Sequence, residues 1–359
     1  MTGGSSGAVL EIAGRAIGSG QPPYIVAEMS GNHNGNLERA LRILQAARDA
    51  GADAVKMQTY RADTITIDHH APEFMVRGGL WDGRRLYELY EEAHTPWEWH
   101  APMFERARQI GITLFSSPFD PTAVDLLEEL GAPAYKIASP ELIDLPLIRK
   151  VAGTGKPVVL STGMATLAEI SSAVEAARGA GSGQIAVLHC TAAYPAPADE
   201  ANLATIAELA RRLDVVVGLS DHTTGTTVAS IAVALGASLI EKHFTLSRTD
   251  GGVDSAFSLE PAELAALVAD ARIAHAAIGA PAFAPTRSEE SVLRNRRSLY
   301  VVRPVSRGER LTHDNVRSIR PGNGIAPRHL DRIVGRVATR DLAFGEPLDM
   351  SMIDGGLPT

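Results

Sequence analysis

Short apolar segments rich in β-branched residues alternate along the chain with longer segments in which apolar residues recur at helical spacing. The predicted strands begin at Tyr24, Ala54, Ile112, Ala134, Pro157, Ile185, Val215 and Leu239. Helical spacing is clear at 37–50, 123–130, 167–180 and 226–235. Strand and helix in this alternation indicate a parallel sheet. Eight such units over roughly 250 residues predict a closed (β/α)₈ barrel, and a doubly wound open sheet is the weaker alternative.

Two departures from the alternation define the domain organisation. A longer insertion at 63–99 carries all three tryptophans and is predicted to lie over the end of the barrel where the strands finish. The pattern breaks again at PAFAPTR (281–287), so we place one domain at 1–285 and a second at 286–359. The second domain repeats a Gly-Glu segment, at Gly308-Glu309 and at Gly345-Glu346, and is predicted to be a small β domain that leans on another surface.

Composition excludes several classes of protein. The 34 basic and 42 acidic residues give a net charge of −8, which argues against a general binder of nucleic acid or of an anionic membrane. No apolar run is long enough for a membrane helix, and the first residues do not resemble a signal peptide. The single cysteine, Cys190, excludes an intrachain disulfide framework and fits a reducing compartment. We therefore expect a folded cytoplasmic protein.

Polar and ionisable residues stand at the carboxyl ends of the predicted strands, the end where chemistry gathers in barrels of this kind. Each strand contributes, and the fifth ends in Ser161-Thr162-Gly163. The remaining candidates in these positions are Glu28, Lys56, Gln58, Ser117, Lys136, Ser139, Glu141, His189, Cys190, Tyr194, Ser220, His222, Glu241 and His243. Cys190 is most simply interpreted as a small core residue.

Two histidines point to a divalent cation. His222 and His243 end neighbouring strands, which lie about 4.8 Å apart in a sheet, so both imidazoles can reach one ion. Two nitrogen ligands leave coordination positions open, which suits an ion that polarises a substrate carbonyl.

Lysine is rare in this chain, and the positions of two of the five lysines indicate an anion-binding site. Lys56 and Lys136 can converge on a phosphate or carboxylate, assisted by the hydroxyl groups of nearby serines. Lys242 alternates with Glu241 and His243 and so faces the other way, and we expect its ammonium group to extend outward among the helices to solvent.

Eight segments in order resemble the sialic acid synthase family: AEMSGNHNG, KMQTY, SSPFD, YKIASPE, STGMAT, HCTAAYP, GLSDHT and EKHFTL. The tail, with SIRPGNGI, resembles the antifreeze-like (SAF) domain of that family. Within the family, GLWDGRRLYELYEEAHTPWEWH and GGVDSAFSLEP are more similar to the pseudaminic acid synthases. One departure is Ala192, where N-acetylneuraminate synthases have an asparagine.

This resemblance implies a transferase that condenses phosphoenolpyruvate with an acetamido sugar aldehyde and water and releases phosphate. For the pseudaminate branch the sugar is 2,4-diacetamido-2,4,6-trideoxy-L-altrose. It implies that His222 and His243 hold Mn²⁺ or Mg²⁺, supported by Glu241, and that Glu28 orients or deprotonates water. It implies phosphoenolpyruvate ligands at Lys56, Ser117, Lys136, Ser139 and Ser220, and sugar ligands at Gln58, Glu141, Tyr194 and Asp254.

The resemblance also implies a domain-swapped homodimer in which Arg320 enters the active site of the partner subunit. Synthesis of N-acetylneuraminate or legionaminate by the same mechanism remains an alternative. Two functions of other classes also remain open: a Schiff-base aldolase that uses Lys56 or Lys136, and a sugar-binding protein without catalysis.

Overall fold

The computed structural model describes residues 8–355, which form two compact units. The first unit ends at Gly279 and the second begins at Ala280, whereas the sequence pattern placed the boundary near residue 285. None of the helices in the described residues has the length and apolar character needed to cross a membrane.

Eight parallel strands close into a barrel in the first unit, which confirms the predicted fold. Every residue of the first barrel strand is buried, as expected for a sheet covered on both faces. The strands are β3 (Tyr24–Glu28), β4 (Ala54–Thr59), β5 (Thr113–Pro118), β6 (Tyr135–Ile137), β7 (Val158–Ser161), β8 (Ile185–Cys190), β9 (Val216–Asp221) and β10 (Leu239–His243). Because β10 pairs with both β9 and β3, the sheet has no free edge.

Helices connect the strands and cover the outside of the barrel. Several begin at a residue whose side chain accepts a hydrogen bond from the first turn, such as Asn36 and Thr166. The helices of this unit are α1 (Leu37–Asp49), α2 (Ala62–Ile65), α3 (Leu86–Ala93), α4 (Trp97–Ile110), α5 (Pro121–Glu129), α6 (Leu145–Ala152), α7 (Leu167–Gly179), α8 (Ala204–Leu213), α9 (Thr227–Ala234) and α10 (Pro261–Ile278).

An N-terminal hairpin, to which the sequence analysis assigned no element, contributes to the barrel interior. Its strands are β1 (Val9–Ile12) and β2 (Arg15–Gly18). Leu10, Ile12 and Ile17 are buried in a cluster whose other buried members belong to the barrel strands, apart from Ala134, which directly precedes β6. The hairpin therefore packs against the inward-facing side chains of the barrel, while a second cluster fills the layer between strands and helices.

The insertion between β4 and α4 lies over the carboxyl ends of the strands, as predicted. It contains α2 and α3, and its Trp81 donates a hydrogen bond from Nε1 to the carbonyl oxygen of Val253, 3.0 Å away in the loop after β10. We call the end of the barrel that this insertion borders the mouth.

The second unit is a small β structure with a hydrophobic core of its own, which includes Leu299, Leu311 and Leu342. Strands β11 (Ser298–Val301) and β12 (Val316–Ile319) pair antiparallel, and the short helix α11 (Leu330–Ile333) follows. The two Gly-Glu segments form equivalent turns. Each glycine has a φ of 83°, in the left-handed region, and each glutamate accepts a hydrogen bond from the backbone three residues earlier.

Candidate active site

Four buried charged residues form a connected network at the mouth. The Nζ atom of Lys56 lies 2.6 Å from Oε2 of Glu28 and 3.8 Å from Oε1 of Glu241, and it donates a hydrogen bond to Ser117. Lys136 lies 3.4 Å from the same oxygen of Glu241. None of the four charged residues is more than 4% exposed. Two carboxylates and two ammonium groups leave the network neutral overall.

The surroundings shift the pKa values of the two carboxyl groups in opposite directions. Burial raises the pKa of Glu28, and the attraction of Lys56 only partly offsets this effect. Burial acts the same way on Glu241, but Lys136 and Lys56 together outweigh it and lower its pKa. Glu241 therefore favours the carboxylate form, while Glu28 is the carboxyl group that takes up a proton more readily.

Further serine hydroxyl groups lie at the same end of the barrel. Ser220 donates a hydrogen bond to Oε1 of Glu241 over 3.3 Å, and Ser139 accepts one from the backbone N–H of Gly163 over 3.0 Å. Gly163 has no room for a side chain, because a Cβ atom there would lie 2.7 Å from the Ser139 hydroxyl oxygen and 2.9 Å from Cβ of Ala192. A glycine is thus required for the close approach of these loops.

Ser161 is a candidate that the sequence analysis noted at a strand end without giving it a role. Its hydroxyl group is buried and has no hydrogen-bond partner. It lies two residues after Val159, which is part of the cluster inside the barrel, so it faces inward with the other rim residues. Side chains alternate between the two faces of β7, and this alternation could have identified Ser161 as an inward-facing residue.

The two predicted metal-binding histidines lie side by side, with ring centroids 5.3 Å apart. Nδ1 of His222 donates to the carbonyl oxygen of Thr191 over 3.0 Å, which leaves Nε2 as the nitrogen with a free lone pair. Nδ1 of His243 is buried without a hydrogen-bond partner and lies 3.8 Å from Oδ2 of Asp254. Burial holds the pKa of His243 well below its usual range, so this ring is neutral.

These features of the imidazoles fit a divalent cation. A neutral ring with an orphaned nitrogen is the protonation state in which histidine binds metals. Within residues 8–355, no group of three or more His, Cys, Asp or Glu side chains is arranged to hold a metal ion. With two imidazoles as its ligands, an ion would have coordination positions open, as a catalytic rather than a structural ion does.

Cys190, interpreted from the sequence as a core residue, belongs to this site. It is buried, but its Sγ atom lies 3.8 Å from Nδ1 of His222. The position at the end of β8, on the inward-facing period, explains the contact.

Lys242 differs from the prediction. Its side chain faces away from Glu241 and His243, as expected, but it is 1% exposed and does not reach solvent. Its Nζ atom instead pairs with Oδ2 of Asp221 at 2.8 Å. The prediction of an outward-extending lysine was wrong because it did not consider a buried carboxylate on the neighbouring strand.

Aromatic rings border the histidines. The ring centroid of Tyr194 lies 4.3 Å from that of His222 with the rings tilted, and the ring centroid of Phe257 lies 4.8 Å from that of His243. Trp81, from the insertion, lies 5.6 Å from Tyr194. Of these rings, only Tyr194 was predicted as a site residue. Phe257 and Trp81 occur in the two segments singled out by family resemblance, which was the available signal.

The remaining predicted sugar ligands lie around the same opening. Gln58 donates hydrogen bonds to Glu28 and Ser30, and Ser30 in turn bonds to Asp254. Glu141 has a buried carboxylate oxygen without a hydrogen-bond partner, and burial raises its pKa to about 7. The side chains of Gln58 and Glu141 can therefore both form polar contacts with a ligand.

Arg320 lies in the second unit, directly after β12, and its side chain is exposed. The described chain is a single copy, so entry of Arg320 into the site of a partner subunit stays a prediction.

Comparisons with known proteins identify relatives over most of the chain. Residues 43–282 match the NeuB family and residues 296–354 match the SAF domain. The chain is 41% identical to pseudaminic acid synthase from Helicobacter pylori over 94% of this chain and 99% of that protein. It is 42% identical to pseudaminic acid synthase from Campylobacter jejuni over 90% and 95%, respectively. The crystal structure of N-acetylneuraminic acid synthetase from Leptospira borgpetersenii with citrate is 32% identical, with a TM-score of 0.72 over 80% of this chain and 95% of that one.

Proposed function

This chain belongs to the NeuB family, and from that membership we propose that it is a transferase that makes pseudaminate. It condenses phosphoenolpyruvate with 2,4-diacetamido-2,4,6-trideoxy-L-altrose and water, and it releases phosphate. The observation that carries this proposal is the identity of 41–42% to two pseudaminic acid synthases over at least 90% of the chain. The buried charges at the mouth supply groups that such a reaction needs.

Phosphoenolpyruvate binds at the two ammonium groups. Lys56 and Lys136 receive its phosphate and carboxylate, and Ser117, Ser139 and Ser220 donate hydrogen bonds to the same oxygens. Ser161 joins them, since its unpartnered hydroxyl group faces the interior of the barrel.

Charge balance supports a divalent cation at His222 and His243. The network of Glu28, Lys56, Lys136 and Glu241 is neutral before substrate enters. A phosphate ester adds about −1.5 to −2 at pH 7, and the carboxylate adds one more negative charge. Held by the two imidazoles, Mn²⁺ or Mg²⁺ would offset most of that charge and would supply Lewis-acid polarisation of the aldehyde group of the sugar. Glu241 supports the site through its contact with both lysines.

The chain's own groups orient the reaction. The C3 carbon of phosphoenolpyruvate attacks the aldehyde carbon, and the new alkoxide takes a proton. Water adds to C2 as Glu28 removes its proton, which the raised pKa of this carboxyl group favours. The bond between C2 and the ester oxygen then breaks as the C2 hydroxyl group loses its proton and becomes the keto group, and inorganic phosphate leaves with the electron pair of the broken bond. Lys56 and Lys136 hold the phosphate throughout and stabilise its charge as it departs.

The sugar lies on the aromatic side of the mouth. Gln58, Glu141, Tyr194 and Asp254 bind its hydroxyl and amide groups. Tyr194, with Phe257 and Trp81, presents apolar ring surface that suits acetamido methyl groups.

The active form is a domain-swapped homodimer in which Arg320 reaches the substrate of the partner subunit. The charge distribution supports this proposal. Residues 280–359 contain 13 arginines and nine acidic residues, a formal charge of +4, whereas residues 1–279 carry −12. Opposite charge favours docking of the small unit on a barrel. The free thiol of Cys190 is compatible with the reducing cytoplasm as the place of the reaction.

The direct test compares two sugars. The purified protein is incubated with phosphoenolpyruvate and either the L-altrose derivative or N-acetylmannosamine, and phosphate release is measured. We expect release with the altrose derivative and little with N-acetylmannosamine. The reverse preference would favour the alternative of N-acetylneuraminate synthesis, which the likeness to the Leptospira synthetase makes the specific competitor. Release with a legionaminate precursor alone would favour that branch.

Two controls separate the other classes of function. Treatment with a chelator should stop phosphate release, whereas a Schiff-base aldolase would instead be trapped by borohydride in the presence of substrate. A binding protein without catalysis would release no phosphate with any of these sugars.

A further inference from the structure

A buried ion pair lies directly behind the two histidines. Asp221 and Lys242 are register partners on β9 and β10, and each immediately precedes one of the histidines. Their side chains alternate to the opposite face of the sheet from the imidazoles. Nζ of Lys242 lies 2.8 Å from Oδ2 of Asp221, and the two residues are 1% and 4% exposed.

The ammonium group of Lys242 binds the residues on both sides of His222. On one side it binds the carboxylate of Asp221, and on the other it donates a hydrogen bond to the carbonyl oxygen of Thr223 over 2.5 Å. The second carboxylate oxygen of Asp221 accepts from the N–H of Thr223 over 2.9 Å. His222 is therefore bracketed by three bonds, of which the two made by Lys242 connect its strand end to the strand of His243 and the third closes a local turn between Asp221 and Thr223.

Stability alone does not account for this pair. The cost of removing two charges from water commonly equals the attraction gained, so a buried ion pair is weak support for a folded state. The pair instead determines geometry: it sets where the end of β9 stands relative to β10. Because each histidine is the next residue along its strand, the same contacts set the separation of the two imidazoles.

We infer that Asp221 and Lys242 are positioning residues that hold His222 and His243 at the separation needed to bind one divalent cation. The inference rests on the proposed metal-dependent function. Neither residue touches the ion or the substrate, and they act through the backbone of the two strand ends. Loss of the pair should weaken metal binding while leaving the anion site of Lys56 and Lys136 intact.

The test measures Mn²⁺ binding to the metal-free protein by the electron paramagnetic resonance signal of unbound Mn²⁺. The main variant is the neutral pair Asp221→Asn/Lys242→Gln, which leaves no unpaired buried charge. We expect its Kd for Mn²⁺ to rise by about 10-fold, the lower end of the range for residues that support metal ligands. The Kd for phosphoenolpyruvate without metal should stay within about twofold of that of the wild type, since a change there would indicate general disruption.

A second variant keeps the charge and changes only the geometry. Asp221→Glu adds one methylene group, which shifts the carboxylate relative to Thr223, and we expect the Kd for Mn²⁺ to rise by about 10-fold here too. This variant serves as the test if the neutral pair does not fold. Lys156→Met is the matched control, because Lys156 also pairs with a carboxylate, Glu128 at 2.6 Å, but on the outside of the barrel. It should leave Mn²⁺ binding unchanged.

The outcomes separate this inference from the proposed function. If the wild type binds Mn²⁺ and the variants bind it equally well, the positioning role is overturned while the metal site stands. Parallel loss of phosphoenolpyruvate binding would also overturn it, since the pair would then support the whole mouth. If the wild type binds no Mn²⁺, the inference and the metal-dependent function both fail.

Discussion

The two imidazoles at the mouth differ in what their nitrogens contact. Nδ1 of His222 is committed to a backbone carbonyl oxygen, whereas Nδ1 of His243 has no hydrogen-bond partner. A fixed tautomer on one ring and an unsatisfied nitrogen on the other are what a metal ligand pair requires before the ion binds. The chemistry of the site thus depends on single atoms rather than on residue types.

His222→Ala tests that dependence. We expect turnover to fall by about 1,000-fold or more, since polarisation by a metal contributes several kcal/mol. The fold should persist, because the side chain lies at the mouth and not in a hydrophobic cluster. Phosphate release gives the rate, and circular dichroism gives the fold. His313→Ala, at an exposed position, is the control, and activity of His222→Ala near that of the wild type would rule out the metal role.

Glu141 predicts a pH dependence of stability. Burial raises its pKa to about 7 from the usual 4.5, so the folded state holds a proton that the unfolded state releases between these values. Its contribution to the free energy of unfolding is therefore present at low pH and decreases as pH rises through 7. Between pH 5 and pH 8 we expect the free energy of unfolding to fall by about 2 kcal/mol more in the wild type than in Glu141→Gln. Urea unfolding at both pH values measures this, and identical losses in the two proteins would contradict it.

At the scale of elements, the strand ends were the most predictable part of the site. Residues two apart on a strand share a face, so β10 had to direct Glu241 and His243 to one side and Lys242 to the other. What Lys242 meets on that other side could not be predicted in this way, because Asp221 belongs to a different strand. The alternation of side chains along a strand can be predicted from neighbouring residues. The contact partner of a side chain on another strand cannot.

The N-terminal hairpin gives a prediction for an element that the pattern analysis missed. Leu10 is 1% exposed in the barrel interior, whereas the adjacent Val9 is 54% exposed. We expect Leu10→Ala to lower the free energy of unfolding by about 2–5 kcal/mol, since it leaves a cavity among the inward-facing side chains. Val9→Ala should change it by no more than about 0.5 kcal/mol. Equal urea midpoints for the two variants would show that the hairpin does not contribute to the core.

The hairpin escaped prediction for a physical reason. Its strands are four residues each, too short for a clear alternation, and their burial depends on a barrel made from residues far along the chain. The repeated Gly-Glu turns of the second unit were easier to predict from the sequence. Each turn needs only a glycine with a positive φ and a glutamate that accepts a backbone hydrogen bond, and these two residues are close in the chain.

At the scale of the whole molecule, the proposed domain swap makes active sites from two chains. Arg320→Ala and His222→Ala should each be inactive alone, because each lacks one part of every site. Mixed dimers, formed by refolding the two variants together, contain one site with both residues intact. We expect about a quarter of wild-type activity from a random mixture of the two subunits.

Light scattering checks that the mixture is dimeric, and phosphate release gives its activity. A mixture as inactive as its components, although dimeric, would mean that Arg320 does not act in the partner's site. An Arg320→Ala protein with normal activity on its own would remove the role of this residue altogether.

Local order along the chain was sufficient for the barrel, the tail and most residues of the mouth, because strand period and helical spacing follow from neighbouring residues. Contacts across the sheet decided the rest: which carboxyl group has the raised pKa, where Lys242 finds its partner, and which serine hydroxyl group has no hydrogen-bond partner. These depend on burial and on distances between residues 20 to 200 positions apart, as between Glu28, Lys56 and Glu241. Electrostatic energy changes steeply with the distance between charges and with the exclusion of water. Neither quantity can be predicted from the pattern of neighbouring residues.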